Sequence, residues 1–370
     1  MKCDETCELV GAADLIALNQ SCFCMTLGRA ELDAAILDHA GNDELGELLA
    51  SRPNLFAATA LFVSPEDLAA MQAQIAAIES VAALAPYQAV ALARSEDKIT
   101  TVQTGTRGLF MGYDFHVSQE GPKLIEINTN AGGAFLMSAL QRSVSDHAAA
   151  CGDARLESSD LIEARLVKSF IADWQAAGRD GQPDTLAIMD QNSADQYLYP
   201  DMLLARDLLT RSGIETLILE PGALSYEDGA LVSGKKTIDM VYNRLTDFDL
   251  SEPGNARLRA ALLDDAAVIS PAPRHHALFA DKRNLIWLSD ALLLETWGVD
   301  AADRKVLAQI PATQRVTDDT ADELWAGRRG YFFKPAAGFG SRATYRGDKL
   351  TKRAWAEILA GDYIAQALVP

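Results

Sequence analysis

Nowhere does the sequence carry an apolar run long enough to cross a bilayer: the longest strongly apolar stretch, Leu55 to Val63, is about half of the ~20 residues a spanning helix needs. The first residues, MKCDETCELV, are acidic where a secretory leader is basic and then apolar, so cytoplasmic residence and no membrane partner are expected. Basic residues are scarce, 33 Lys and Arg against 52 Asp and Glu, a net charge of −19. That excludes a nucleic-acid backbone as the expected partner, yet leaves room for one local cationic pocket. Cysteine is scarce too. The five (Cys3, Cys7, Cys22, Cys24, Cys151) are an odd number in a chain of 370 residues, which argues against a disulfide framework. Cys3, Cys7, Cys22 and Cys24 could form a soft-metal cluster, but the Cys22–Phe23–Cys24 gap is tighter than zinc knuckles use, so small buried hydrophobes or tail thiols are expected. No Gly-x-Gly-x-x-Gly follows the first parallel-type strand and no Gly-Lys-Ser/Thr closes a glycine loop, so neither a dinucleotide fold nor a Walker site is supported.

What is present is ordinary for a globular enzyme: 49% hydrophobic and 23% charged residues, enough chain for two or three domains of mixed α/β class. Residues 1–100 read as helical. Ser64-Pro65-Glu66-Asp67 is a helix start, with Leu68, Met71, Ile75 and Ile78 as its apolar stripe. Residues 180–280 alternate strand and helix: TLAIMD (Thr185 to Asp190), a helix with Leu198, Met202, Ala205 and Leu208 on one face ending near Ser212-Gly213, TLILE (Thr216 to Glu220), and TIDMVYNRL (Thr237 to Leu245). That succession predicts a parallel α/β unit. A helix over Asp281 to Glu295 then leads into a strand-rich piece over 281–370.

The stretch LFMGYDFHVSQEGPKLIEINTNAGG, within residues 101–165, is the most informative. Two strand-like runs flank Gln119-Glu120-Gly121, a three-residue loop whose Gly suits a left-handed position. Centring the hairpin on Glu120 places Asp114 opposite Glu126 and Gly112 opposite Asn128. Alternation puts Asp114, His116, Glu126 and Asn128 on one face, and Phe115, Val117, Ile125 and Ile127 on an apolar face that must be the core side. Two carboxylates opposed across a hairpin repel one another, and a cation between them reverses the sign. Their hard oxygens, with the Asn128 amide, suit Mg²⁺. An exposed polar face, with one carboxylate partly protonated or paired with arginine, is the alternative, and His116 fits either a partner behind such ligands or a plain surface histidine.

Near the C-terminus, GYFFKPAAGFGSRATY sets a strand, Lys334 and Pro335 ahead of Gly338 and Gly340, residues that let backbone N–H groups approach phosphate oxygens. Taken alone this reads better as a simple surface hairpin. DYIAQALVP (Asp362 to Pro370) is an apolar strand with one polar residue, Gln366.

Together these pieces resemble the ATP-grasp superfamily of ATP-dependent carboxylate–amine ligases. Asp114, then Glu126-x-Asn128, matches its metal signature; Lys282 in FADKRNLIW, Lys334 with Gly338 and Gly340, and Gln366-x-x-Val369 match its nucleotide lobe. The metal hairpin precedes the lysines, an order similar to the circularly permuted branch related to glutathionylspermidine synthetase. The resemblance implies an ATP-grasp fold with a Rossmann-like pre-ATP-grasp domain over 180–280 and a nucleotide lobe over 281–370. It implies ATP and Mg²⁺ as cofactors, Asp114, Glu126 and Asn128 as metal ligands, and Lys282, Lys334, Gly338, Gly340, Gln366 and Val369 at the nucleotide. The hinge acid of the family is here Gln366, whose amide can still hydrogen-bond adenine. Pro370 falls at the hinge, where such proteins usually continue; the expectation is a shortened form or contacts supplied elsewhere, with Arg107 as a substitute for the phosphate-contacting arginine. Arg244, in YNRL at a strand end, and Asn130 are assigned to substrate. The implied activity forms an acyl phosphate from a small-molecule carboxylate and passes the acyl group to an amine. Phosphoryl transfer to a small molecule and a non-catalytic binding module are the alternatives, and a homo-oligomer is compatible with all three.

Overall fold

The computed structural model describes residues 19, 29–40, 43–57, 61–95, 98–151, 159–338 and 343–369; the four early cysteines and Gly340 lie outside the described residues. Along the chain, helices α1 (Arg29–Ala40), α2 (Asp43–Ser51), α3 (Pro65–Ala82) and α4 (Ala85–Leu92) lead to a hairpin, β1 (Gly112–Ser118) and β2 (Gly121–Asn128). Helices α5 (Ala134–Cys151) and α6 (Ser159–Ala176) follow, then β3 (Thr185–Met189), α7 (Tyr199–Arg211) and β4 (Glu215–Leu219). A meander of β5 (Ser225–Glu227), β6 (Ala230–Ser233) and β7 (Lys236–Thr237) precedes β8 (Met240–Asn243), α8 (Ala256–Leu263) and β9 (Val268–Ser270). The remainder holds α9 (Asn284–Leu288), α10 (Ala291–Thr296), α11 (Ala301–Leu307), β10 (Thr313–Arg315), α12 (Ala321–Gly327), β11 (Tyr331–Pro335), β12 (Tyr345–Arg346), α13 (Lys352–Ala360) and β13 (Tyr363–Ala367).

These elements form two compact units, each drawn from three stretches: Met1–Ser64, Thr104–Phe110 and Asn130–Pro271 in the first, Pro65–Gln103, Met111–Thr129 and Ala272–Pro370 in the second. The helical region expected over 1–100 is thus divided between the two units. Among the described residues no single helix is long and apolar enough to cross a membrane.

The first unit is built on a sheet of order β4-β3-β8-β9 with every pairing parallel. Every residue of β3 and β8 is buried, as a parallel strand covered on both faces requires. Leu186, Ile188, Met240 and Tyr242 pack with Phe135, Phe170 and Met202 in one core. Helix α7 buries Met202, Ala205 and Leu208 as its spacing predicts, and Gly213 follows at φ +91°. The run Thr237 to Leu245, expected as one strand, is two. Thr237 ends the β5-β6-β7 meander and Met240 opens β8, with the Asp239 carboxylate between them accepting the Thr185 N–H at 2.8 Å.

In the second unit Pro65 opens α3 with Glu66 and Asp67 in its first turn, as expected. The buried stripe, however, is Gln74, Ala77, Ile78, Val81 and Ala82, and Leu68 is exposed. The helix is rotated because it packs on β2 and α11, and the buried Gln74 amide donates to the Pro122 carbonyl at 2.9 Å. The helix expected over Asp281 to Glu295 is broken in two: the Asp290 carboxylate accepts the Leu292 and Leu293 N–H groups and caps a fresh helix. Antiparallel β10-β13-β11-β12 completes the unit.

Candidate functional site

The hairpin pairs Asp114 with Glu126 and Gly112 with Asn128, as its symmetry predicts. It reaches that register by another route. The turn is one residue shorter than expected, Ser118 pairing with Gly121, and a β-bulge after Asp114 makes Phe115 face Leu124, leaving Ile125 as the extra residue. The bulge resets the alternation. Leu124 and Ile127 are the buried core residues, with Tyr113 and Phe115 packed on them, whereas Val117 is exposed and Ile125 is only half-buried. Val117 and Ile125 are therefore not on the core side. His116 is exposed.

The bulge leaves the Ile125 carbonyl for another donor, and the Lys334 ammonium fills that role at 2.9 Å. Lys334 projects from β11 and also donates to the Gln366 Oε1 on β13, at 2.8 Å. Lys282, which follows a π turn at His276–Ala280, is tied by its backbone N–H to the Ala336 carbonyl at 3.0 Å. Its ammonium lies 3.0 Å from the Glu126 Oε1 and donates to the Gly338 carbonyl at 2.9 Å. The Asn128 amide nitrogen donates weakly to Asp114 at 3.4 Å. Two carboxylates and two ammoniums thus share one side of the hairpin.

Their electrostatics follow from this crowding. Asp114 is exposed as a residue, but its carboxyl loses part of its water to its neighbours, and that, reinforced by the Glu126 charge, holds it above the usual carboxylate range. Burial lowers the Lys334 ammonium to about 8; the Glu126 charge opposes that shift and the Lys282 charge adds to it. Gln366 is 2% exposed, and its Nε2 has no hydrogen-bond partner. Val369 is half-buried just past β13. Among the described residues no group of three or more His, Cys, Asp or Glu gathers in a way that could hold a metal.

The other expected residues belong to the first unit. Arg244 follows β8 and is 8% exposed. Its Nη1 donates to the Tyr242 hydroxyl at 2.9 Å and to the Ala131 carbonyl at 3.4 Å, while its buried Nε has no hydrogen-bond partner. Asn130 joins the same corner, its amide reaching the Leu245 carbonyl at 3.5 Å. Gly132 lies against this corner, and a Cβ there would force the Arg244 Nη2 and the Leu198 Cδ1 to shift. The Asp201 carboxylate accepts the Gly133, Phe135 and Leu136 N–H groups, each at 3.0 Å, and fixes the start of α5 beside it. Arg107 is also in this unit; it is exposed, and its backbone N–H is held by Asp173 at 2.8 Å.

Sequence reasoning missed Asp190. It directly follows β3, buried, and burial raises its carboxyl to about 6 against the Gln191 N–H it accepts and the pull of Arg244. With the order β4-β3-β8-β9, chain connections leave β3 and β8 in opposite directions, and open parallel sheets bind ligands at that point, off the carboxyl ends of the strands. Asp190 and Arg244 both stand there.

No protein-family model and no curated protein matches the chain. In structure it is similar to a glutathione synthetase-like effector from Globodera pallida in its apo form. The TM-score is 0.55 at 15% identity, over 94% of this chain and 83% of that one. At that identity the likeness speaks for the fold alone: a mixed α/β, glutathione synthetase-like fold.

Proposed function

We propose that the chain is an ATP- and Mg²⁺-dependent ligase of the circularly permuted ATP-grasp kind, joining a small-molecule carboxylate to an amine. The observation that carries this reading is the convergence of Lys282 and Lys334 on the carboxylate hairpin, Lys334 reaching the Ile125 carbonyl across 209 positions of sequence. The glutathione synthetase-like fold supports it.

The residues fit Mg²⁺. Asp114, Glu126 and Asn128 offer hard oxygens in a set small enough to leave room for waters and phosphate oxygens, as Mg²⁺ prefers. When bound, Mg²⁺ neutralises charge on the phosphoryl oxygens. Lys282 and Lys334 hold phosphate oxygens, Gly338 and Gly340 cover them, and Gln366 and Val369 flank the base. Because the Gln366 oxygen is already occupied by Lys334, its amide nitrogen is the group left to donate. Arg244 presents its free Nε to the substrate carboxylate, with Asn130 beside it. The carboxylate oxygen takes the γ-phosphoryl group, and the amine nitrogen then displaces phosphate from the acyl carbon, with ADP and phosphate as the other products.

Hydroxylamine trapping tests this directly. With Mg²⁺-ATP and a panel of small carboxylates, an acyl phosphate gives a hydroxamate. ATP turnover without a hydroxamate would favour phosphoryl transfer instead, and no binding heat with Mg²⁺-ATP would sink both enzymatic readings.

A further inference from the structure

We infer that Lys282 is the resident counter-cation of the Asp114–Glu126 pair, and that it keeps a divalent cation out of the nucleotide-free site until a polyphosphate draws its ammonium away. The inference concerns regulation of the site described above and rests on the nucleotide reading for the identity of that polyphosphate.

Lys282 is 5% exposed and spends its ammonium on two partners, the Glu126 carboxylate at 3.0 Å and the Gly338 carbonyl at 2.9 Å. Its backbone is fixed by the Ala336 carbonyl, so the side chain alone must move. Lys334 supplies the second positive charge, committed to Ile125 and Gln366. Two ammoniums and two carboxylates leave the cluster formally neutral. A divalent cation arriving alone would meet Glu126 already paired and would add two positive charges beside the buried ammoniums of Lys282 and Lys334, with the exposed Asp114 as the one carboxylate left to it. A divalent cation carried by a polyphosphate arrives with excess negative charge. The Lys282 ammonium then has phosphate oxygens to exchange for Glu126, which is freed for the metal, and the Gly338 carbonyl is released in the same movement. Cation and polyphosphate are therefore taken up together.

The test is a Mn²⁺ titration of the full-length chain followed by electron paramagnetic resonance, with no turnover involved. Wild-type chain without nucleotide should bind Mn²⁺ weakly. Lys282→Gln, which keeps a donor for Gly338 but loses the charge, should bind it at least about tenfold more tightly, and adding Glu126→Gln should abolish the gain. Lys282→Met is the second variant, and circular dichroism checks the fold of each. Equal Mn²⁺ affinity in wild type and Lys282→Gln overturns the inference. If wild type binds Mn²⁺ with a non-hydrolysable ATP analogue and Lys282→Gln shows no gain alone, the inference falls while the nucleotide reading stands. If Lys282→Gln gains Mn²⁺ affinity and the analogue never binds, the counter-cation role stands and the nucleotide reading falls. Should both variants unfold, wild type decides, with the Mn²⁺ held by the analogue alone subtracted: protein-bound Mn²⁺ without nucleotide as tight as with the analogue overturns the inference, and protein-bound Mn²⁺ at least about tenfold tighter with the analogue supports it.

Discussion

The two units hold buried charge in opposite ways. In the second, Lys282 and Lys334 answer Asp114 and Glu126, and the cluster is balanced from within. In the first, the Arg244 guanidinium is buried against a phenol and a carbonyl with the Asp201 and Asp190 charges near it, its Nε–H unmatched, while Asp190 is held at about 6 by burial despite the Arg244 charge. A balanced cluster gains little from one simple ion, because any newcomer must displace a partner already in place. A buried guanidinium whose charge is already met by nearby carboxylates, but whose Nε–H has no acceptor, gains from the first acceptor oxygen that reaches that N–H. The difference fits the two parts of the proposed reaction: a composite ligand of metal and polyphosphate for the second unit, a lone carboxylate for the first.

The largest expected effect breaks the balanced side. Glu126→Gln removes one of two carboxylates while keeping the shape, and turnover of Mg²⁺-ATP should fall at least ~100-fold; the melting temperature should fall too, because the buried Lys282 ammonium loses its carboxylate, with the folded circular dichroism spectrum kept. Unchanged turnover would remove the hairpin from the chemistry. On the unbalanced side, Asp190→Asn should alter how stability depends on pH. The folded carboxyl titrates near 6, above its value of 3.8 in the unfolded chain. Its contribution is present below about pH 4 and is lost as pH rises through 6, because the folded state must then carry a buried charge. The amide cannot ionise, so the variant gains on wild type by about 2 kcal/mol at most between pH 4 and 7, after allowing for solvent at the rim. Thermal melts across that range read the slope, and a flat difference would mean that Asp190 is charged at little cost.

Lys334→Met should weaken binding of Mg²⁺-ATP by about tenfold at pH 7, as for one buried charge-assisted contact. In wild type the affinity should decline as pH rises past about 8, where the Lys334 ammonium gives up its proton. Calorimetry at pH 7 and pH 9 separates the two sites, since Arg244 keeps its charge throughout.

Much of the second unit's site was legible, and its errors are instructive. Asp114 facing Glu126 was readable from the hairpin's symmetry about Glu120, but the turn is shorter by one residue and the bulge at Ile125 restores the register. Two mistakes cancelled at the carboxylates and did not cancel at Ile125 and Val117, whose faces came out wrong. Nothing in GPKLIEIN announces a bulge, because a bulge is decided by what packs on either side. Lys334 was legible as the cation after a strand, whereas its anchor on the Ile125 carbonyl was not. In the first unit the strands were legible as apolar runs, and Arg244 as a charge at a strand end. Asp190 was passed over because its significance lies in the sheet order, which places β3 beside β8 and is written nowhere along the chain.

Gly132 offers the finest probe of the unbalanced side. A Cβ there would stand 2.4 Å from the Arg244 Nη2 and 2.6 Å from the Leu198 Cδ1, both ends of flexible side chains. Flexible neighbours yield cheaply, so Gly132→Ala should cost only about 1 kcal/mol of stability. The yielding has a direction, however. Arg244 is held on one side by the Tyr242 hydroxyl and the Ala131 carbonyl, and displacing its guanidinium weakens those bonds while turning the unmatched Nε out of register. The proposed carboxylate affinity should therefore fall further than stability does, by about threefold to tenfold in KM, with the Mg²⁺-ATP heat unmoved. If stability drops and KM for the carboxylate stays constant, Arg244 is held for packing alone, and the contrast between the two units loses its functional half.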